Sequence, residues 1–125
     1  MNNVGLLLLM IFCHIVDDYK LQGILASMKQ KDWWVEQTSF TKLYKYDYIV
    51  ALLVHSFSWS FMILLPFFIT SSFNITPVIL GIFCINIVIH AVVDDLKANK
   101  KKINLWVDQL IHLIQIIATW IFIIN

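Results

Sequence analysis

The chain has 125 residues, of which 60% are hydrophobic, and a mean hydropathy of +0.79, whereas a soluble domain carries about 45–50% apolar residues. Nine basic residues, all lysine, oppose eight acids for a formal charge of +1. This excludes an ordinary water-soluble domain and a broadly basic nucleic-acid-binding surface. What remains is an integral membrane protein.

A bilayer-crossing helix needs about 20 mostly apolar residues, and the chain offers four such stretches, at about 3–28, 46–70, 76–98 and 103–124. They leave little chain over, so the expected fold is all-α: one integral membrane domain over 1–125, a four-helix transmembrane bundle. The first stretch is the least apolar, because its clean run, 4–16, stops at Asp17, Asp18 and Lys20. It does not read as a signal peptide, since no positive charge precedes it and no small-residue cleavage site follows. Helix formers continue through Leu21, Ile24, Leu25 and Met28, so one retained helix reaching the membrane surface is expected.

The connection over 30–45 mixes Trp33, Trp34, Phe40, Leu43 and Tyr44 with the charges Asp32 and Glu36. It suits either a segment in the headgroup layer or a solvated loop. In the second stretch Pro66 is a candidate kink, and Ser56, Ser58 and Ser60 flank His55 without a nucleophile motif. Thr76-Pro77 predicts a helix start, with Thr as N-cap and Pro at the first position. The same Pro77 disfavours use of the sequon Asn74-Ile75-Thr76. Cys13 and Cys84 sit in apolar runs of different stretches and read as free, buried thiols.

Charge sets the topology. Eight lysines, namely Lys29, Lys31, Lys42, Lys45, Lys97, Lys100, Lys101 and Lys102, lie in or beside the connections after the first and third stretches. The termini and the 71–75 connection carry no charged side chain. The positive-inside rule makes the lysine-bearing loops cytoplasmic and both termini external, in a multi-pass protein of the cytoplasmic (inner) membrane. Lys100-Lys101-Lys102 is read as this topological signal and as an attraction for anionic headgroups. Membrane lipids and a homo-oligomeric partner are expected, and nucleic acid is not.

Each apolar stretch holds one histidine: His14, His55, His90 and His112. Three have an aspartate four residues away, His14 with Asp18, His90 with Asp94 and His112 with Asp108, a spacing that puts both groups on one helix face. Counted from the outer ends of the stretches, the histidines lie roughly 11–15 residues in, or about 16–23 Å at helical rise. They form one layer displaced toward the cytoplasm, with a carboxylate layer beneath it. Ionisable groups inside a bilayer cost several kcal/mol unless paired or hydrated, so a converging polar centre is expected.

Histidine and aspartate without arginine suit a first-row divalent metal. Candidate ligands are His14, Asp18, His55, His90, Asp94, Asp108 and His112, with zinc the leading metal. Candidate orienting groups are Asp17, Gln22, Asp95, Lys97 and Gln109. His55 and Asp18 are the candidate catalytic groups, His55 as fourth ligand or general base. Asn86, one turn before His90, can join the stripe. A bound water of lowered pKa would attack an ester, amide or phosphoryl group, close to lipid headgroup linkages. The competing readings are His–Asp pairs that only tie helices together, and a cation or proton pathway or small-solute transporter formed by an oligomer.

The motifs His14-x3-Asp18-Tyr19-x-Leu21-Gln22, His55, His90-x3-Asp94-x2-Lys97 and Asp108-Gln109-x2-His112 resemble those of a family of small four-span bacterial and phage membrane proteins grouped as a domain of unknown function. The resemblance covers nearly the whole chain, and the added acids Asp17 and Asp95 have no place in its pattern. It implies a membrane location and a shared centre built from these residues, and it supplies no activity. A looser similarity, in embedded His and Asp only, links the chain to predicted membrane-bound metal-dependent hydrolases and to zinc-bearing, ceramidase-like membrane hydrolases. The leading reading is a divalent-metal-dependent hydrolase of a lipid-like or membrane-accessible substrate. The alternative is a non-enzymatic pathway, or a membrane binding or immunity module.

Overall fold

A computed structural model describes residues 2–38 and 42–125. Phe40, named above in the 30–45 connection, lies outside them. The described chain is all-helical: α1 (Asn3–Val16), α2 (Leu25–Met28), α3 (Lys31–Thr38), α4 (Asp47–Thr70), α5 (Pro77–Ala98) and α6 (Leu105–Ile124). Three of the six, α4 with the turn preceding it, α5 and α6, are long and apolar enough to cross a membrane.

Local chemistry marks the helix starts. The side chains of Asn2, Thr76 and Asn104 each accept a hydrogen bond from the first turn of α1, α5 and α6, which satisfies donors that a helix N-terminus leaves free. Pro77 follows Thr76 at the first helical position as expected. The four long helices pack in a closed ring in which α1 and α5 each touch both α4 and α6. Trp120 on α6 donates to the Asn3 carbonyl at 2.8 Å, holding the two chain ends together.

The packing is layered along the helix axes. Toward the chain ends the interior is mostly apolar, built from Leu6, Met10, Ile63, Leu64, Phe68, Ile79 and Ile116, with Asn86, Gln115 and Thr119 as buried polar exceptions. Toward the lysine-bearing end it is polar, with His55, His90, His112, Asp17 and Asp108 at most 1% exposed. Trp59, fully buried, separates the layers. The outer surface carries Leu8, Phe12, Val50, Val78, Val88, Ile114 and Phe122 exposed, so polarity inside and hydrocarbon outside match a lipid solvent.

The single helix expected over 3–28 is broken. After Val16 the chain makes a π-helical turn over Asp17–Leu21, closed by a hydrogen bond from the Gln22 amide to the Asp17 carbonyl at 3.0 Å. Gly23 then takes φ +51°, a left-handed conformation cheap for glycine, and α2 leaves in a new direction. The 30–45 connection is also more ordered than a loop. It holds α3 and a 3-10 turn over Lys42–Tyr44, with Trp34 stacked on Tyr44 and donating to the Met28 carbonyl.

Cys13 is a free thiol, half-buried as part of α1, whereas Cys84, expected to be buried, is an exposed free thiol on the outer face of α5. A groove of about 560 Å³ runs between α5 and α6. At its base Asn86, Gln115 and Thr119 bond one another at 2.7–3.2 Å. Asn86 thus ties α5 to α6 and does not join the His90 stripe.

Candidate metal centre

In a regular α-helix consecutive side chains diverge by about 100°, so Asp17 and Asp18 would face different directions. The π turn inserts an extra residue into this step and brings both inward, a distortion often found at functional sites. Asp17 is 1% exposed and the Asp18 side chain 9%. Ser58, one turn after His55 on α4, donates to Asp17 Oδ1 at 2.7 Å, which leaves Asp17 Oδ2 facing His55 Nδ1 at 3.8 Å. Asp17, unplaced in the family pattern, therefore lies behind His55.

The side chains of α4, α5 and α6 converge on this point. His55 Nε2 lies 3.1 Å from His90 Nε2, 3.4 Å from Asp18 Oδ1 and 3.4 Å from Asp94 Oδ2. His112 Nε2 lies 3.5 Å from Asp94 Oδ1 and 3.3 Å from Asp108 Oδ1. The intrahelical pairs face one another as their spacing requires: His14 and Asp18 at 3.5 Å, His90 and Asp94 at 3.8 Å, His112 and Asp108 at 3.3 Å. The His90 ring stacks with both Trp59 and His112, each at 4.2 Å between ring centroids, and those two rings are themselves 5.4 Å apart. That stacking fixes its plane.

Two ligand groups result, Asp18 with His55 and His90, and His90 with Asp94 and His112. His14 belongs to neither. Its Nδ1 accepts from the Trp59 indole N–H at 2.8 Å, so its proton sits on Nε2 and is donated to Gln109 Oε1 at 3.1 Å. The Gln109 amide nitrogen points to Asp108 Oδ2 at 3.1 Å and Asp18 Oδ2 at 3.4 Å. His14, Trp59 and Gln109 form a frame around the ligand groups.

Lysines hold the carboxylates from the other side. Lys97 donates to Asp108 Oδ2 at 2.6 Å and Lys29 to Asp94 Oδ2 at 2.5 Å. Lys29 reads in the sequence only as one of the topology-setting lysines beside a connection, but it is 7% exposed because the turn at Gly23 carries α2 back beneath the centre. No local signal announces this, nor the part played by Trp59. Gln22 bonds the Asp18 carbonyl at 2.6 Å rather than a side chain. Asp95 points away from the centre to Asn99 and Lys100, so it orients nothing there.

A polar cleft of about 440 Å³ leads from the centre to the lysine-bearing end, past Asp18, Lys29, Asp94, Lys97, Lys101 and Gln109. His55 and His90 share a hydrogen bond at 3.1 Å, but the imidazole–carboxylate distances at the centre, 3.3–3.8 Å, are too long for good ones. Asp18 Oδ1, Asp108 Oδ1 and His112 Nε2 have no hydrogen-bond partner at all. Such lone pairs, gathered and buried, suit a cation. Comparison with known protein families, with curated proteins and with solved structures finds no match to this chain.

Proposed function

We propose that the protein is a four-span inner-membrane hydrolase whose His/Asp centre binds a divalent metal, zinc foremost, and that it belongs with the small four-span bacterial and phage proteins its motifs resemble. The observation that carries this is the meeting of Asp18, His55, His90 and Asp94 at 3.1–3.8 Å with the buried Asp18 Oδ1 left unsatisfied. The first span is α1 continued by its π turn, over 3–21, about 28 Å at helical rise. The chain ends lie together and the lysines gather at the other end, which the positive-inside rule places in the cytoplasm.

A bound divalent ion supplies Lewis acidity and lowers the pKa of a water to about 7. The protein's own groups prepare for this. With a proton on Nδ1 directed at Asp17, His55 presents the Nε2 lone pair inward, the carboxylate–histidine arrangement common at metal sites. That geometry favours His55 as ligand over general base. The cleft gives the headgroup linkage of a lipid, or a soluble anion, a route to the centre, and its lysines favour a negatively charged substrate. Conduction has less support, because beyond Trp59 the fully buried side chains Met10, Ile63, Leu64 and Ile116 are apolar and the polar Asn86, Gln115 and Thr119 bond one another.

Purified protein in detergent should contain stoichiometric transition metal by elemental analysis, lost in His90→Ala. Vesicles of anionic phospholipid should be hydrolysed by the metal-loaded protein and not after chelation. Metal-free, folded protein that takes up none on titration would remove the hydrolase reading.

A further inference from the structure

We infer that the centre holds two divalent ions, bridged by the Asp94 carboxylate, with the second in a separate site made by Asp94 Oδ1, Asp108 Oδ1 and His112 Nε2. This rests on the metal-binding reading above and goes beyond it in number, ligand partition and order of binding.

Two donor atoms each about 2.0–2.2 Å from one tetrahedral ion stand roughly 3.3–3.5 Å from each other. In the centre two histidine nitrogens, His55 Nε2 and His112 Nε2, each have other donor atoms at about this distance and so define two sets. In the first, His55 Nε2 is 3.4 Å from Asp18 Oδ1, 3.1 Å from His90 Nε2 and 3.4 Å from Asp94 Oδ2. In the second, His112 Nε2 is 3.5 Å from Asp94 Oδ1 and 3.3 Å from Asp108 Oδ1. Asp94 gives a different oxygen to each set. The second set is the less satisfied of the two, since both Asp108 Oδ1 and His112 Nε2 lack any hydrogen-bond partner, with His112 and Asp108 both 0% exposed. The lysines leave these atoms free, because Lys97 and Lys29 bind the opposite oxygens, Asp108 Oδ2 and Asp94 Oδ2. The stacking of His90 on His112 at 4.2 Å makes the sets adjacent, as the spacing of about 3.5–4 Å in two-metal sites requires.

Charge sets the order. Of the four carboxylates Asp17, Asp18, Asp94 and Asp108, Lys29 pairs with Asp94 and Lys97 with Asp108, leaving a formal two negative charges in the interior, which one divalent ion cancels. A second ion makes the centre positive, and its charge is met by an anion entering through the cleft lined by Lys29, Lys97 and Lys101. The second ion therefore binds more weakly, and inorganic phosphate tightens it.

The test is a cobalt(II) titration of chelator-stripped, full-length protein in detergent micelles, with bound metal counted by elemental analysis after gel filtration. Two equivalents in the unaltered protein, the second tightened at least several-fold by inorganic phosphate, with one equivalent left in His112→Ala, is the expected result. A single equivalent in the unaltered protein overturns the second site and leaves the metal reading standing. Two equivalents persisting in His112→Ala also overturns it, and no bound cobalt in folded protein defeats both. The count on the unaltered protein depends on no variant's folding.

Discussion

Replacing Lys29 by Met removes the ammonium that neutralises Asp94 while keeping most of the aliphatic volume. The pair is 2.5 Å apart and both side chains are under 10% exposed, so neither partner is well hydrated. At an effective dielectric near 20 and ~3 Å the attraction is about 5 kcal/mol, and removing one partner of a buried pair costs about 3–5 kcal/mol because the other charge is stranded. An unfolding entropy of about 2.1 cal/mol/K per residue converts this, over the whole chain, to a drop of about 10–20 °C in midpoint. The assay is a thermal scan of tryptophan fluorescence in detergent at one fixed scan rate, since unfolding of such proteins is commonly irreversible. Lys100→Met is the control. Lys100 pairs with Asp95 at 3.1 Å but is 55% exposed, and exposed pairs contribute about 0–1 kcal/mol. With metal present, the ion shares the charge of Asp94 and the loss in Lys29→Met should fall by at least half. If the two variants melt alike in chelator, Lys29 does not neutralise Asp94 and the electrostatic account of the centre is wrong.

Asp17→Asn should weaken metal binding about 10–100-fold without changing the number of ions, as loss of a partner behind a ligating histidine does. A chelator competition reads this, and unchanged affinity would remove Asp17 from its place behind His55. Gly23→Ala should cost about 1–2 kcal/mol for the left-handed residue, a drop of about 4–8 °C, with faster amide exchange over 25–30. A Cβ there meets only the Leu21 carbonyl, at 3.8 Å, so the cost is conformational. A midpoint that does not fall would argue against the turn that delivers Lys29.

Much of the centre is legible before folding because its determinants are local. One histidine per apolar stretch, with Asp18, Asp94 and Asp108 each one turn away, can be read at helical spacing, and the structure faces each pair inward at 3.3–3.8 Å. Thr76-Pro77 announced the start of α5 for the same reason, since capping involves only neighbouring atoms. His14 shows the limit. Its sequence context equals that of His90, but Trp59 and Gln109, 45 and 95 residues away, take up both ring nitrogens and leave it outside the ligand groups.

Composition and periodicity by themselves determined that the chain is helical, apolar outside and polar within, because the 3.6-residue repeat and the cost of charge in hydrocarbon act on any sequence of this kind. Only the tertiary structure decided that the first stretch breaks at Asp17–Leu21, that Gly23 turns α2 beneath the bundle, and that Lys29 is buried against Asp94. A π turn is unfavourable locally. It is held because packing against α4 and α6 rewards two inward carboxylates at once, and that reward exists only when residues far apart in the chain have met.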